Sequence, residues 1–337
     1  MKFMKKCTLK DIAKEVGVSA MTVSKVLNNK PGVSDATRQQ VQDAARRLNY
    51  SQNLIARSLR TDETRTLGVV LSDTSEMVLS KVLRGIQDGA SAKNYSTIIA
   101  NTDHQPEREQ QAIQTLLGKR IDGLILVAPT LYTDEQIALL KSSSIPFIFL
   151  MRKSDHSDID TIINDNYLGG YQSVVHLIEN RCRSFAFLAL KDSQSSQDRE
   201  KGYLQALADY RVPLESVHFF HISPFIEAAE AAARELLQSG IRFDALVCGC
   251  DTVAVGAMNV LLDAGIRIPA DVRLIGYDGI DLARYLRVPL TTMEQPLYEI
   301  GHKGAEILID RAHYPQMPVR KLVLKSQLVI RQSTLGR

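Results

Sequence analysis

The sequence predicts an all-α head followed by an α/β body of two doubly wound parallel-sheet lobes. Three observations support this prediction. Residues 8–49 have helical patterning throughout, residues 67–278 alternate apolar β-rich runs with helical stretches, and this alternation occurs in two similar groups. Continuous apolar strands between helices indicate parallel sheets covered on both faces. The chain of 337 residues is long enough for two or three domains.

Three short helices are predicted in the head. Thr8 can cap the first helix, with Asp11 as its acidic partner three residues later. Ser19 and Ser34 stand at the corresponding positions before the second and third helices. The stretch NNKPG separates these last two helices because its proline and glycine break a helical pattern.

The segment KEVGVSAMTVSKVLNN contains a break between two helices. The first helix stops at Gly17 and the second starts after Ser19. A helix, a short glycine turn and a second helix make a helix-turn-helix, whose second helix can enter the DNA major groove. Ala20 and Met21 would then face base edges, where an apolar side chain can contact a thymine methyl group, and Lys25 would face a phosphate or a guanine. An ordinary three-helix bundle is the alternative.

Charge is distributed unevenly along the chain. Residues 1–65 contain 13 Lys and Arg against 6 Asp and Glu, whereas the remainder has a small acidic excess and the whole chain has a net charge of +3. A basic head on a mildly acidic body suggests that the head binds a polyanion. No apolar run approaches the roughly 18 residues of a membrane span. The basic N-terminus has no apolar signal-peptide region behind it, so we expect a cytoplasmic protein.

The sequence gives no indication of catalysis. The glycine-rich phosphate motifs, the G-x-S-x-G elbow and the H-E-x-x-H motif are absent. The four cysteines have no metal-ligand spacing, and we expect reduced thiols with no metal or cofactor. A cytoplasmic α/β enzyme and a plain ligand-binding protein are distant alternatives. The basic head and the missing signal peptide argue against a periplasmic receptor.

Long ordered segments carry a resemblance to a known family. TLKDIAKEVGVSAMTVSKVLNN, NLIARSLRTDETRTLGVV and GYDGIDLARYLRVPLTTMEQP resemble the LacI/GalR family of bacterial transcription regulators. The resemblance implies a helix-turn-helix head, a hinge and a two-lobed body similar to the sugar-binding proteins of the periplasm. The implied limits are 1–50 for the head, 51–65 for the hinge and 66–337 for the body, with lobe 1 at approximately 66–160 and 291–320 and lobe 2 at approximately 161–290 and 321–337.

The resemblance also implies a set of DNA contacts. In the hinge, Leu59 matches a leucine that enters the minor groove, and Ala56 would let two hinge helices approach closely. Gln52 departs from the proline that is common there, and burial of Leu59 against its own body is the alternative. The implied DNA-binding residues are Thr8, Ser19, Ala20, Met21, Thr22, Ser24, Lys25, Asn28, Asn53, Ala56, Arg57 and Leu59.

Effector-binding residues are implied in the same way. Arg199 matches an arginine that binds ligand hydroxyls, for which a planar fork of donors is well suited. The alternatives are that Arg199 makes an ordinary ion pair and that Asp278 only caps a turn. Residues 76–79 hold no aromatic side chain where the family commonly has one. The implied effector-binding residues are Asp73, Arg152, Asp165, Arg199, Cys250 and Asp278, with a cysteine at 250 where asparagine is common.

Together these observations predict a sequence-specific DNA-binding repressor. We expect a homodimer on a pseudo-palindromic operator, controlling a carbohydrate-utilisation operon through a sugar, sugar acid or sugar phosphate bound between the lobes. A nucleoside- or purine-responsive regulator is the alternative. The apolar stretch after Glu76 and the segment AVGAMNVLLDAGI are candidate dimer surfaces, although core packing explains them equally well.

Overall fold

The computed structural model describes residues 7–28, 30–50, 63–128, 133–191 and 193–335. The chain divides into two compact units, Met1–Thr64 and Arg65–Arg337. The predicted hinge residues Asn53, Ala56, Arg57 and Leu59 lie outside the described residues.

The head contains the three predicted helices. They are α1 (Leu9–Val16), α2 (Ala20–Leu27) and α3 (Asp35–Arg47). The three predicted caps are confirmed, because Thr8, Ser19 and Ser34 each accept a hydrogen bond from the backbone N–H three residues later. At the first helix the partnership is reciprocal, since the Asp11 carboxylate also accepts the Thr8 N–H at 2.8 Å.

One apolar cluster holds the head together. Ile12, Val23, Val26 and Val41 are buried where the three helices meet. Gly17 ends α1 with φ +74°, a left-handed conformation that glycine adopts without a steric penalty. This turn explains why the second helix starts only three residues later and at a new angle.

The body has two lobes, each built on a six-stranded sheet. The lobe 1 sheet has the order β11-β5-β4-β3-β1-β2, with all pairs parallel. Its elements are β1 (Thr66–Leu71), α4 (Met77–Ala92), β2 (Ser96–Asn101), α5 (Pro106–Leu117), β3 (Gly123–Val127), α6 (Asp134–Ser142), β4 (Phe147–Leu150), β5 (Asp160–Asn164), α11 (Leu297–His313) and β11 (Lys321–Leu324).

The lobe 2 sheet has the order β12-β10-β9-β8-β6-β7, and only β12 is antiparallel to its neighbour. Its elements are α7 (Asn166–Glu179), β6 (Phe185–Leu190), α8 (Gln194–Asp209), β7 (Val217–Ile222), α9 (Ile226–Gln238), β8 (Ala245–Cys248), α10 (Asp251–Asp263), β9 (Arg273–Asp278), β10 (Thr291–Glu294) and β12 (Gln327–Val329). The predicted pair of doubly wound lobes is confirmed.

The predicted lobe limits need three corrections. β5 belongs wholly to the lobe 1 sheet, so lobe 1 extends past residue 160. β10 pairs with β9 in lobe 2, and β11 pairs with β5 in lobe 1. The error arises because apolar strands of both lobes look alike in sequence, whereas membership is decided by which neighbour each strand pairs with. The chain therefore crosses between lobes after β5, after β10 and between β11 and β12.

The two candidate dimer segments are mainly core. In α4, Leu79, Val82 and Ile86 are buried against α11, and most apolar residues of α10 are buried in lobe 2. Apart from Met77 at the start of α4, the most exposed apolar side chains of the body lie outside these two segments. They include Phe225, Ile226, Leu282 and Tyr285.

Candidate nucleic-acid interface and effector crevice

The outward face of α2 is the candidate nucleic-acid interface. Val23 and Val26 point into the head core, so the opposite side of the helix faces solvent. Met21 is 72% exposed, and Lys25, one turn later on the same face, is also exposed. Ala20 differs from the expectation, because it is half-buried and packs against the head core.

The first turn of α2 has the backbone N–H groups that an anion-binding site uses. The Ser19 hydroxyl oxygen accepts the Thr22 N–H at 3.1 Å and lies 2.9 Å from the Thr22 hydroxyl. The preceding amides of Ala20 and Met21 have no acceptor within the helix, because the first N–H groups of any α-helix lack one. Such amides and the helix dipole favour a phosphate oxygen at this end.

The other predicted head residues have structural partners. The Thr8 hydroxyl donates to the Asp11 carboxylate at 2.7 Å, within the cap of α1. Asn28 donates its side-chain amide to the Ser24 carbonyl at 2.7 Å and so closes the end of α2.

In the body, strand ends of both sheets meet at the junction between the lobes, where the sequence predicts the effector crevice. Asn164, at the end of β5 in lobe 1, donates to the hydroxyl of Tyr277 in lobe 2 at 3.0 Å. In doubly wound folds ligands bind beyond these strand ends. The predicted residues Asp73, Arg152, Cys250 and Asp278 all lie at or just after such an end.

Arg199 is the centre of a buried polar cluster in lobe 2. Its side chain projects from α8 and is only 4% exposed as a residue. The Nε donates to Asn166 Oδ1 at 2.9 Å and Nη1 donates to the Gly249 carbonyl at 2.5 Å. The guanidinium carbon lies 3.7 Å from the centre of the Tyr277 ring, a cation–π contact. Arg199 is therefore fixed in position before any ligand arrives.

Asp278 faces Arg199 from the end of β9. Its Oδ1 lies 3.7 Å from Arg199 Nη2 and accepts a hydrogen bond from Gln295 at 2.6 Å. Burial raises the pKa of Asp278 to about 6, and the Arg199 charge opposes that rise. The residue also has φ +112°, so its backbone is strained.

Cys250 lies beside this pair but is a poor polar ligand. It is buried, packs with the lobe 2 core and immediately precedes α10. Burial, followed by the nearby Asp278 charge, raises the pKa of its thiol to about 12. The side chain is therefore a neutral thiol at physiological pH.

The remaining predicted effector residues are bonded locally. Both Asp73 oxygens accept hydrogen bonds from Ser75, at 2.8 Å from its N–H and 2.7 Å from its hydroxyl, and the backbone bond lowers the pKa of Asp73. Asp165 caps α7 by accepting the Leu168 N–H at 3.0 Å. Arg152 is half-buried in the loop after β4. The structure thus brings Arg199, Cys250 and Asp278 together, whereas Asp73 accepts bonds within its own turn and Asp165 caps a helix.

Sequence reasoning missed Asn166, Tyr277, Gln295 and Asp251. Each of the four follows or precedes a predicted residue or strand end by one position, which was the available signal. Asp251 has no exposed surface, and its carboxylate accepts the Ile280 N–H at 2.9 Å and the Thr292 hydroxyl at 2.6 Å. Burial, followed by the Asp278 charge, raises the pKa of Asp251 to about 7.

Two lysines of lobe 1 bridge to lobe 2. Lys81 on α4 lies 3.0 Å from both the Gly279 carbonyl and Asp281 Oδ1. Lys153, in the loop after β4, contacts Asp198 on α8 at 2.5 Å. The two contacts join different loops of the crevice rim, and each involves a residue next to Asp278 or Arg199 in sequence.

Among the described residues, no group of three or more His, Cys, Asp or Glu side chains is arranged to hold a metal ion. Within the same ranges, no helix combines the length and apolar character that crossing a bilayer requires.

Comparison with known proteins gives two family matches that together span most of the chain. Residues 8–53 match "Bacterial regulatory proteins, lacI family", and residues 64–321 match "Periplasmic binding proteins and sugar binding domain of LacI family".

Individual relatives match along nearly the whole length. The ribose operon repressor of Haemophilus influenzae is 36% identical over 97% of this chain and 98% of its own. The HTH-type transcriptional repressor PurR of Mannheimia succiniciproducens is 31% identical over the same shares. The crystal structure of the lac repressor dimer bound to operator and the anti-inducer ONPF has a TM-score of 0.88 at 27% identity, covering 98% of this chain and 100% of that one.

Proposed function

Since the chain belongs to the LacI family of bacterial regulatory proteins, a family of DNA-binding transcriptional regulators and not of enzymes, we propose that it is a repressor whose operator binding is controlled by a neutral sugar in the body crevice. The proposal includes a homodimer on a pseudo-palindromic operator. It also includes a cytoplasmic location, because a regulator of bacterial genes must reach the chromosome.

The pairing of Arg199 with Asp278 is the observation that carries the sugar proposal. At 3.7 Å the guanidinium and carboxylate are too far apart for a direct hydrogen bond. A hydroxyl group can accept from the arginine and donate to the aspartate at the same time, because it is both acceptor and donor. A phosphate or carboxylate only accepts at neutral pH, and Asp278 would repel it.

Other charges around the crevice support a neutral ligand. Glu76 of lobe 1 is close enough to raise the pKa of Asp278. Asp73 adds a second carboxylate from lobe 1. The charge of Arg199 is balanced by Asp278, and the two lysines at the crevice rim, Lys81 and Lys153, are paired with Asp281 and Asp198. An anionic sugar would therefore lack a free counter-charge among these groups. Sugar acids and sugar phosphates, which the sequence left open, are therefore less favoured.

A purine effector is the second candidate. The 31% identity to a PurR repressor along the whole chain supports it. The site geometry argues against it, because a nucleobase is commonly stacked on an aromatic face. Tyr277 has its ring covered by Arg199 and is fully buried, and residues 76–79 offer no ring.

The proposed control follows from linkage between two binding events. A ligand in the crevice contacts both lobes and favours one arrangement of them. If operator binding favours the other arrangement, the ligand releases DNA and acts as an inducer. We propose this direction of control for the present protein.

Footprinting tests the proposal directly. Purified protein is footprinted on its own upstream region, alone and with D-ribose, other neutral sugars, sugar phosphates, guanine or hypoxanthine. We expect a protected symmetrical site that a neutral sugar removes. Release by purines alone would favour the second candidate, and the absence of any symmetrical site would contradict the repressor itself. Sedimentation of the same sample tests the dimer.

A further inference from the structure

We propose that Lys81, on α4 of lobe 1, is a positioning residue that holds the turn carrying Asp278 and joins the effector site to the opposite lobe. This inference rests on the proposed function, because it concerns how the same effector crevice is regulated. It starts from a single ammonium group that reaches across the lobes. Lys81 Nζ lies 3.0 Å from the Gly279 carbonyl oxygen and 3.0 Å from Asp281 Oδ1.

The turn that Lys81 contacts has a strained backbone. Asp278 has φ +112° and Gly279 has φ +73°. A Cβ at position 279 would lie 2.5–2.7 Å from Glu294 atoms, so only glycine fits. A non-glycine residue with such a φ persists only where its surroundings fix it, since the strain is on the order of 1–3 kcal/mol.

Lobe 2 provides hydrogen-bond acceptors for two N–H groups of this turn, and lobe 1 provides the donor for one of its carbonyl groups. The Gly279 N–H donates to the Thr292 hydroxyl at 3.3 Å, and the Ile280 N–H donates to Asp251 at 2.9 Å. The Gly279 carbonyl accepts instead from Lys81. The Asp278 carboxylate and this carbonyl belong to adjacent residues, so a change at either one alters the geometry of the other.

Lys81 is attached to a rigid part of lobe 1. Its neighbour Val82 is fully buried, and α4 packs along α11 through a shared apolar core. A movement of lobe 1 therefore carries the backbone of Lys81 with it. The pair with Asp281 alone would be weak, because that side chain is 69% exposed and also contacts Arg284 at 3.2 Å. The charge-assisted bond to the carbonyl is the stronger contact.

Hydrogen exchange of the full-length protein, with no effector added, tests the positioning role. Lys81→Met keeps the aliphatic stem and removes the donor. Exchange of the amides of Gly279 and Ile280 should become about tenfold faster, because a charge-assisted hydrogen bond supports their turn. Lys81→Arg should restore slow exchange. Exchange in β6 should stay unchanged, which separates this effect from global unfolding.

Arg84→Met is the matched control. Arg84 lies on the same helix, but its ion pair with Asp88 stays within lobe 1 at 3.0 Å. This variant should leave turn exchange as in the wild type. Equal exchange in Lys81→Met and wild type would overturn the proposal, as would equal acceleration in both methionine variants.

A titration with D-ribose gives a functional readout. If D-ribose releases operator from the wild type, Lys81→Met should shift its midpoint by about threefold or more, while Arg84→Met shifts it less than about twofold. An unshifted midpoint for Lys81→Met would count against the proposal. If D-ribose does not act on the wild type, the exchange result alone decides the role of Lys81, and only the sugar proposal is weakened.

Discussion

The recognition helix of the head and the crevice of the body place their candidate contact residues in opposite environments. Met21 is 72% exposed on α2, whereas Arg199 and Asp278 are 4% and 7% exposed in lobe 2. Met21 and Lys25 need no partner within the fold, because a large partner can dock on an exposed face. The crevice residues already hold one another, so a small ligand meets a site that is largely preformed.

Because of this difference in burial, substitutions in the two regions should have different effects. A change on the exposed face of α2 should alter which DNA is bound and leave folding unaffected. A change in the crevice should alter the ligand response and the stability together, since removing one buried partner leaves the other unpaired.

Arg199→Met should have the largest effect. It removes the donors to Asn166, Gly249 and the ligand, and it leaves the Asp278 carboxylate without its counter-charge. We expect the sugar concentration needed for operator release to rise by about 100-fold or more, since loss of a buried charge partner costs about 2–5 kcal/mol. Operator binding without sugar should persist, as measured by gel shift.

Lys201→Met is the control for that prediction. Lys201 lies on the same helix with its side chain 69% exposed, 3.5 Å from Asp198. It should respond to sugar as the wild type does. A wild-type sugar response in Arg199→Met, with circular dichroism unchanged, would contradict the preformed site.

Met21→Gln should change operator choice. A mismatched base pair within a specific site typically costs about 1–3 kcal/mol. The preferred sequence from a binding-site selection should therefore change at one position per half-site, with about tenfold discrimination, while affinity for random DNA stays within about twofold. The same substitution at Met77, which is 41% exposed in the body, is the control and should leave the selected sequence as it was. An unaltered selected sequence for Met21→Gln would assign base reading to other residues.

Contacts between residues close together in the sequence could be predicted, whereas contacts between distant residues could not. Thr8, Ser19 and Ser34 act through contacts three residues away, so their caps were predictable. Arg199 and Asp278 were each implied only through resemblance, and their pairing was not predicted, because the two residues are distant in sequence. Asp251 was missed for the same reason, since its partners Ile280 and Thr292 become neighbours only when β8, β9 and β10 align.

Lobe membership shows the same limit for strands. β10 and β11 are short and similar in composition, and nothing within either one states which sheet it joins. Pairing with β9 and with β5 decides the matter, and that pairing depends on where the chain crosses between lobes.

The sugar response should depend on pH through Asp278. Because its pKa is raised to about 6, the carboxylate is mostly charged at pH 7 and loses its charge as the pH falls below that value. A protonated carboxyl accepts a sugar hydroxyl less well. We expect sugar affinity to fall by about twofold from pH 7 to pH 6 and by up to about tenfold per unit below that, measured by calorimetry.

Asp278→Asn provides the comparison for the pH profile. This variant should bind sugar more weakly at pH 7 and show no step near pH 6. A step that survives in Asp278→Asn would assign the pH dependence to another group.

Asp251→Asn should have the smallest effect on function and reverse the usual sign on stability. The folded-state pKa of Asp251 is raised to about 7 from 3.8, so folding binds a proton between these values and the charged form costs stability above them. The amide can accept from Ile280 and donate to Thr292 without carrying a charge. The variant should therefore unfold at a higher temperature than wild type at pH 8, by about 2–4 °C for each kcal/mol gained. The gain should shrink as the pH falls from about 7 towards about 4.

Asp271→Asn is the opposite case, because hydrogen bonds from Arg267 hold the pKa of Asp271 at about 2 and its charge favours folding at neutral pH. Calorimetric scans of both variants across this range should give differences of opposite sign, and a loss of stability in Asp251→Asn at pH 8 would show that its charge, and not only its hydrogen bonds, supports the turn beside the crevice.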